Sequence, residues 1–585
     1  MKKKYLTIVL LFAYGLNANA QFGKLKGMLG GKKDSTQVEK TADTALQKKG
    51  GQNLWSKAIG KVAKMAGNLA GSMGGLITTS STLENVVPVP YYLTNLHPSS
   101  VGVVSQSFFE GWEPGGSAVM LSFSAKNSVQ LHKIDGSVNI DGKPANYVAM
   151  GIYSAFLKDI SKPKLVEITT SSGQKSSFSL TAPKQRIKLL AINDQKANIS
   201  LDLTKDVTLT LENLPSGDPS PVMVSLTGTT LGIKTFYEVG WFAPNPRITI
   251  PAAMFRNMNG ATSNIGFADA YLQVSRAATD KVSNISGIYP EIDYYNMTTD
   301  GRFITVTAKP VFNKGLVAAA TLNYPNGEVS YEIKKANAIY SPNLSRMKTL
   351  GITSFAIQGK TSLYDSKTRY SGNDSYTTTT KTAQFPQFSD DVWDNILEKM
   401  YTQVTEILEA ELDINVLPIE KVTASKGYQR IVPFSKEEAN TRAAFSRSYK
   451  NTKLLAGPRP LSETMGKKSG EYGIMQETGA NATMRFTAGL NMSFEGSKAI
   501  ITPSLSFEIN GEVLGEIFTT NYLSGTVTGK GVVMKDKSKV DLATLENSFL
   551  NMPDLMAAFR KSIQDIKQKE QQNGDYDIEW AAMNN

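Results

Sequence analysis

Two patterns of apolar and polar positions divide the chain. From Leu83 to about Tyr340, short runs alternate with period two and are rich in Val, Ile, Leu, Phe and Tyr. That alternation predicts strands at Ser117–Ser124, Gln130–Ile134, Ser137–Ile140, Leu165–Thr170, Ser176–Leu180, Ile187–Ile192, Ile199–Leu203 and Val207–Leu211. A second set follows the proline-rich stretch Pro215–Pro221: Val222–Leu226, Phe236–Phe242, Arg247–Ile250, Ala270–Ser275, Phe303–Thr307 and Val329–Ile333. Asp135-Gly136, Asp141-Gly142, Asn259-Gly260, Asp300-Gly301 and Asn326-Gly327 read as turns between them. Many short strands with regular turns predict tandem immunoglobulin-like β-sandwiches, residues 83–215 and 216–345.

From residue 346 onward the pattern changes. Gly351–Ile357 is a short apolar strand, and Thr361–Gln387 is polar enough to be a long loop or a hairpin. Ser389 caps a helix, with Asp390 and Asp391 at its positive end. Its apolar face runs through Val392, Ile396, Met400, Val404, Ile407, Leu408 and Leu412. Ile414–Pro418 reads as a strand, Tyr472–Thr478 as a helix closed by Gly479, and Ala482–Phe494, Ala499–Asn510 and Asn521–Val533 as strands. Asn510-Gly511 reads as a turn, Pro553 opens a last helix, and the residues after Gly574 read as a polar tail. The expected fold is therefore mainly β, with a mixed-sheet α/β domain over residues 346–585.

Within that domain, an apolar strand and a long helix are followed by Ile414-Asn415-Val416-Leu417-Pro418. Met475-Gln476-Glu477-Thr478-Gly479-Ala480-Asn481-Ala482 then leads into a strand. This arrangement resembles the fold group of the TolB amino-terminal domain and the curli-secretion channel protein. The resemblance covers residues 350–569, and the chain departs from the group in lacking a lipidated Cys and in carrying the insertion Ser435–Gly470. What it implies is a non-enzymatic role in envelope assembly or secretion.

The N-terminus sets the expected compartment. Lys2, Lys3 and Lys4 precede an apolar run from Tyr5 to Tyr14, and Ala18-Asn19-Ala20 forms a small-x-small cleavage site. Residues 1–20 therefore read as a secretory signal peptide, with an apolar run too short to be a transmembrane helix. Export to the periplasm, outer membrane or cell surface of a bacterium is expected. Residues 21–82 read as a Gly/Lys-rich linker that carries an amphipathic helix. Trp55, Ile59, Val62, Leu69 and Met73 lie on its apolar seam, with Lys57, Lys61 and Lys64 off it. Such a helix suits a membrane surface or a partner protein, and its glycines equally suit fraying or packing on its own chain.

The chain has 585 residues and a formal charge of +11, which falls by the three lysines of residues 1–20 to +8. That balance suits anionic envelope surfaces, and no aromatic–basic motif points to nucleic acid. There is no Cys, so an exported chain of this kind must be held by core size and sheet pairing alone.

Candidate chemistry is sparse. The two histidines, His97 before Pro98 and His132 inside an alternating strand, read as loop and strand residues, and a Ser-His hydrolase would have to use one of them. Ser345-Arg346-Met347-Lys348 fits Ser-x-x-Lys without the companion motifs, and Gly525–Gly531 lacks P-loop spacing. Asp135, Asp141 and Asp293 are the carboxylates to weigh for calcium, although Asp-Gly is first a turn. No catalytic, cofactor or metal site is expected. Trp112, Trp241, Tyr294 and Tyr295 are the aromatic residues that would stack on a glycan if exposed together, against the alternative of sandwich core. The readings carried forward are an envelope binding or assembly protein, a glycan-binding surface protein and a secreted hydrolase.

Overall fold

The computed structural model describes residues 77–101, 109–126, 130–149, 151–160, 162–212, 214, 216–218, 220–230, 233–258, 266–372, 375–431, 445–455, 470–514, 518–534 and 541–584. Residues 1–20, expected as a signal peptide, and the Trp55–Met73 seam with Lys57, Lys61 and Lys64 lie outside the described residues, as does Asn259-Gly260. The protein is mostly β, with a helical C-terminal region.

The alternating stretches form one large sheet of eleven strands and two smaller sheets. The main path of the large sheet runs Ile77–Ser80, Leu131–Ile134, Ser117–Ala125, Val86–Thr94, Asp293–Ala308, Ala268–Lys281, Val222–Thr230 and Ile233–Phe242. This sheet takes strands from both sides of Pro215–Pro221, so hydrogen bonding continues across the 215/216 boundary. Its two faces fill two cores. Tyr92, Val119, Leu121 and Phe123 meet Val138, Ile140, Val166, Ile168 and Phe178 of a five-stranded sheet. Tyr91, Leu93, Met120, Leu272 and Val274 meet Leu189, Leu209, Ile248 and Ile250 of a three-stranded sheet. Ser117–Ala125 is buried at every position, which explains its near-continuous apolar run.

Asp300-Gly301 is not a turn. Both residues lie inside the long strand Asp293–Ala308, opposite Val274 and Gln273. Glycine is needed there for another reason: a Cβ on Gly301 would lie 2.5 Å from the Tyr271 ring, which crosses the strand at that point.

The C-terminal module is a nine-stranded sheet with the path Leu316–Tyr324, Gly327–Lys335, Phe518–Gly529, Lys498–Leu514, Ala482–Glu495, Thr349–Gly359 and Asn415–Val416. The hairpin Leu316–Lys335 thus belongs to this sheet and not to the segment before residue 346. The helices Asp390–Leu412 and Met552–Asn573 bury their apolar faces on it, Val404, Ile407, Phe559 and Ile563 meeting Tyr331, Phe486 and Phe507. A smaller cluster of Leu417, Val422, Tyr428, Ile474 and Met475 joins the helices Ile419–Thr423, Lys426–Arg430 and Gly470–Thr478. Gly479 ends the last of these at a φ of 76°. Thr361–Gln387 resolves as the hairpin Ser362–Gly372 and Ser375–Gln384.

Two expectations for this module are corrected. Asn510-Gly511 lies within Lys498–Leu514, at a bulge in its pairing with Phe518–Gly529, so it bends a strand and does not close one. The residues after Gly574 form a helix, Asp575–Asn584, because Tyr576, Trp580 and Met583 share one face and are buried. Trp580 and Met583 enter the core of the N-terminal module.

That helix clasps the two modules together through buried polar groups. Asp575 accepts from Arg256 at 2.7 Å and from Asn257 at 3.0 Å, while the Tyr576 hydroxyl and the Trp580 indole donate to the carbonyls of Ala336 and Ala338. Glu579 is fully buried, and desolvation holds its carboxyl well above the usual carboxylate range. Glu238, 2% exposed, accepts from Tyr340 at 2.7 Å and from Trp241; burial still pushes it up to about 7. Beside the clasp, the Lys335 ammonium is wholly buried, 2.9 Å from Glu570 and 2.7 Å from the Ser341 hydroxyl. Burial pushes it down to about 8, against the pull of Glu570.

Removing either partner of the Lys335–Glu570 pair, by Lys335→Met or Glu570→Gln, is expected to cost roughly 3–5 kcal/mol, and the double variant less than the sum, in urea denaturation. Additive losses would contradict the pairing. The carboxyl of Glu238 is raised from 4.5 to about 7, so the unfolded chain releases its proton first. Its contribution to stability is present in full below pH 4.5 and is lost as pH rises towards 7. Glu238→Gln should flatten that fall and raise the melting temperature at pH 8 by a few degrees; an unchanged pH profile would refute the assignment.

Candidate ligand-binding cleft

The pairing of Asp293–Ala308 leaves a gap. Val86–Thr94 runs beside it only from Tyr295 to Thr298, and Ile199–Asp202 joins only from Ile304. Between them, 299–303 pair with a strand on the Tyr271–Ser275 side alone, among the described residues. After Thr94 the chain turns off the sheet because Asn95 takes a left-handed φ of 59°, a conformation Asn tolerates. It is held by its N–H donating to Gly116 O at 3.0 Å and its carbonyl accepting from the Thr299 hydroxyl at 2.8 Å. The gap opens as a cleft of about 610 Å³, within the range of small-molecule sites, lined by Asn95–His97, Trp112, Pro114, Gly115, Arg186–Lys188, Tyr271, Thr298 and Asp300–Arg302.

One wall is aromatic. His97 stacks on Tyr271 with ring centres 4.9 Å apart and meets Trp112 edge-on at 5.5 Å. Phe303, 55% exposed, packs edge-on to both His97 and Tyr271. The indole N–H of Trp112 donates to Leu96 O at 2.7 Å. No ring stacks on the face of Trp112 among the described residues, and the side chain is half-buried. His97 caps the 3-10 turn Pro98–Ser100, its Nδ1 accepting the Ser99 N–H at 3.0 Å. The proton of the neutral ring therefore sits on Nε2. Burial, with Lys234 second, lowers its pKa, so His97 stays neutral at the cleft.

The other wall is cationic. Arg186 and Lys188 are exposed, and Arg302 is half-buried. Lys188 reaches Glu212 at 3.2 Å, whereas Arg186 makes no ion pair among the described residues. Asp300 supplies the only carboxylate of the lining among the described residues, and it is already engaged. It accepts the Leu189 N–H at 2.8 Å and the Gly301 N–H at 2.8 Å, and it pairs with Arg302 at 3.1 Å. Arg302 also donates to Leu189 O at 2.6 Å. The Asp300–Arg302 pair thus rivets the segment carrying Arg186 and Lys188 to the strand edge, and three cations face one occupied carboxylate.

Of the four aromatic residues expected as glycan contacts, Trp112 lies in this cleft. Trp241, Tyr294 and Tyr295 are 4%, 0% and 7% exposed and serve as core. Tyr294 donates to Thr181 O at 2.8 Å and Tyr295 stacks on Tyr91 at 5.3 Å, so no ring face of either is left for a sugar. His132 bonds Thr78 at 2.9 Å in a parallel strand pair, away from any carboxylate bond, and its pKa is lowered by burial. Asp135 accepts from Ser171, Asp141 accepts the Leu165 N–H at 2.8 Å, and Asp293 begins a strand opposite Lys281. No cluster of three or more His, Asp or Glu able to hold a metal ion occurs among the described residues. Sequence reasoning missed Tyr271, Asp300, Arg302, Arg186 and Lys188. The available signal was the alternation Arg186-Ile187-Lys188-Leu189, which places two cations on one side of a strand start.

Compared with known proteins, the chain matches no family model and no curated protein. What fold and geometry define is a cysteine-free, β-rich protein with a C-terminal helical region and, among the described residues, an aromatic–cationic cleft at a break in an eleven-stranded sheet.

Asp300→Ala removes charge-assisted hydrogen bonds and is expected to lower stability by roughly 1.5–3 kcal/mol in urea denaturation. A change within about 0.5 kcal/mol, the range of ordinary surface substitutions, would show that Asp300 does not rivet the cleft.

Proposed function

We propose that this chain is an exported protein of the bacterial cell envelope that works by binding and not by catalysis, with the cleft at Trp112 as its binding site. The observation that carries this reading is the lining itself. It offers ring faces and cations, and its single carboxylate is spent on backbone N–H groups and Arg302. A general acid–base pair would need two titratable groups free to exchange protons with a substrate. The leader-like residues 1–20, the positive charge and the resemblance of residues 350–569 to the TolB and curli-secretion fold group support the envelope setting and a role in assembly or secretion. Partners in this reading are envelope proteins or the anionic envelope surface. No helix among the described residues is long and apolar enough to cross a membrane.

A second reading, a glycan-binding surface protein, is favoured by the position of Trp112 beside hydrogen-bonding groups of the cleft. The hydrolase reading has no comparable support, since neither histidine is bonded to both a hydroxyl nucleophile and a carboxylate.

Fractionation of the native host, with N-terminal sequencing of the product, tests the envelope setting. The expected product begins at Gln21 and is found in the periplasm, outer membrane or medium. A cytosolic product beginning at Met1 would overturn it.

A further inference from the structure

We infer that the cleft at the break in the large sheet selects a sugar ring that bears a carboxylate. The inference rests on the binding-site reading above and names its ligand class. Three features lead to it. The first is an indole at the cleft on whose face no ring stacks among the described residues: Trp112 touches His97 only by an edge, whereas His97 and Tyr271 stack on each other. A single indole face matches the C–H face of a saccharide. A nucleobase is usually held between two surfaces and read along its edges.

The second feature is the polar surface beside that face. The exposed side chain of Asn95 and the backbone at Gly115 line the space in which ring hydroxyls would lie. The cleft is large enough for more than the one ring that Trp112 covers, and it is open to solvent, which suits part of a longer saccharide chain.

The third is charge. Arg186 has no ion-pair partner among the described residues, and Lys188 shares its charge with an exposed Glu212. Arg302 is only partly neutralised by Asp300, which it shares with two N–H groups. A neutral sugar would leave the guanidinium of Arg186 without a partner in the cleft, whereas a carboxylate would receive its planar fork of donors. The anchoring of this wall is independent of the ligand. The fully buried Arg276 donates to the carbonyl of Arg186 at 3.2 Å, and Asp300 accepts from the N–H of Leu189, so the backbone that carries the two cations is anchored without a ligand.

Calorimetric titration of the full mature chain with methyl glucuronide and methyl glucoside, two ligands that differ by the carboxylate, tests the inference. The uronate should bind about tenfold or more tightly than the neutral sugar, with an affinity that falls as salt is raised. Arg186→Gln, at an exposed position, should abolish the preference. Trp112→Ala should weaken both ligands, and Trp112→Phe, which keeps a ring face, should weaken them less. A tetramer of galacturonate binding more tightly than the monomer would assign the source as a polysaccharide, and equal binding would assign it as a free sugar acid. Equal affinity for the charged and neutral sugars would overturn the inference, as would absence of binding to all of these probes. Tighter binding of uridine monophosphate than of the uronate would overturn it too. Any of those results with the protein found in the envelope leaves the envelope reading standing; a cytosolic location undermines that reading whatever the titration gives.

Discussion

The hydrogen bonding of Asp293–Ala308 is the constraint on which the N-terminal module depends. It pairs antiparallel with Ala268–Lys281 along 293–303, and in parallel with Val86–Thr94 and Ile199–Asp202 at its two ends. Segments separated by more than a hundred residues are thereby brought into one sheet whose two faces feed two cores. With no disulfide available, this pairing and the burial it permits must hold the module. The same strand creates the cleft, because its two parallel partners do not meet. The gap between them leaves Thr299–Phe303 as a platform for side chains that a continuous sheet would have covered.

Buried charge locks the rest of the molecule onto that frame. Arg276, fully buried, donates to carbonyls of Ser220, Asp218 and Arg186 and lies 3.0 Å from the Asp218 carboxylate. Lys335 and Glu570 join a strand to a helix of the C-terminal module, and Asp575 joins the terminal helix to Arg256 and Asn257 of the N-terminal one. Displacing one partner of any of these pairs would leave a charge in a medium that solvates it poorly. The raised carboxyls of Glu238 and Glu579 belong to the same junction, where apolar burial by Trp241, Trp580 and their neighbours outweighs the hydrogen bonds on offer. The cleft wall is tied to the same frame: Arg276 donates to the carbonyl of Arg186, and Asp300 accepts the N–H of Leu189, a residue of the N-terminal core.

Period-two alternation made most strands legible, since each is apolar on the side that meets a core. Arg247–Ile250 has the bounds expected from it, and Val207–Glu212 and Lys164–Thr170 differ by a residue or so. Val86–Thr94 is absent from the alternating stretches because both its faces are buried, which erases the alternation. Asp300-Gly301 was misread because its glycine answers to the Tyr271 ring and not to a turn. The terminal helix was missed for a similar reason: Asp575, Asp577 and Glu579 look solvated in sequence, whereas Asp575 and Glu579 are buried against Arg256 and Asn257, three hundred residues earlier. Of the cleft, sequence reading singled out Trp112 as a glycan contact and His97 only as a hydrolase candidate. Its residues come from separate segments of the chain, and nothing local in them records that a gap in strand pairing brings them together.

The central claim is that this gap is a preformed recognition site whose aromatic and cationic walls act on one ligand. A crystal structure of the protein with a uronate oligosaccharide tests it most directly. The account predicts a sugar ring lying on the indole of Trp112, with its carboxylate in hydrogen-bond reach of Arg186 or Lys188 and the Asp300–Arg302 clamp unmoved. A ligand bound elsewhere on the chain, or an empty cleft at saturating ligand, would contradict it.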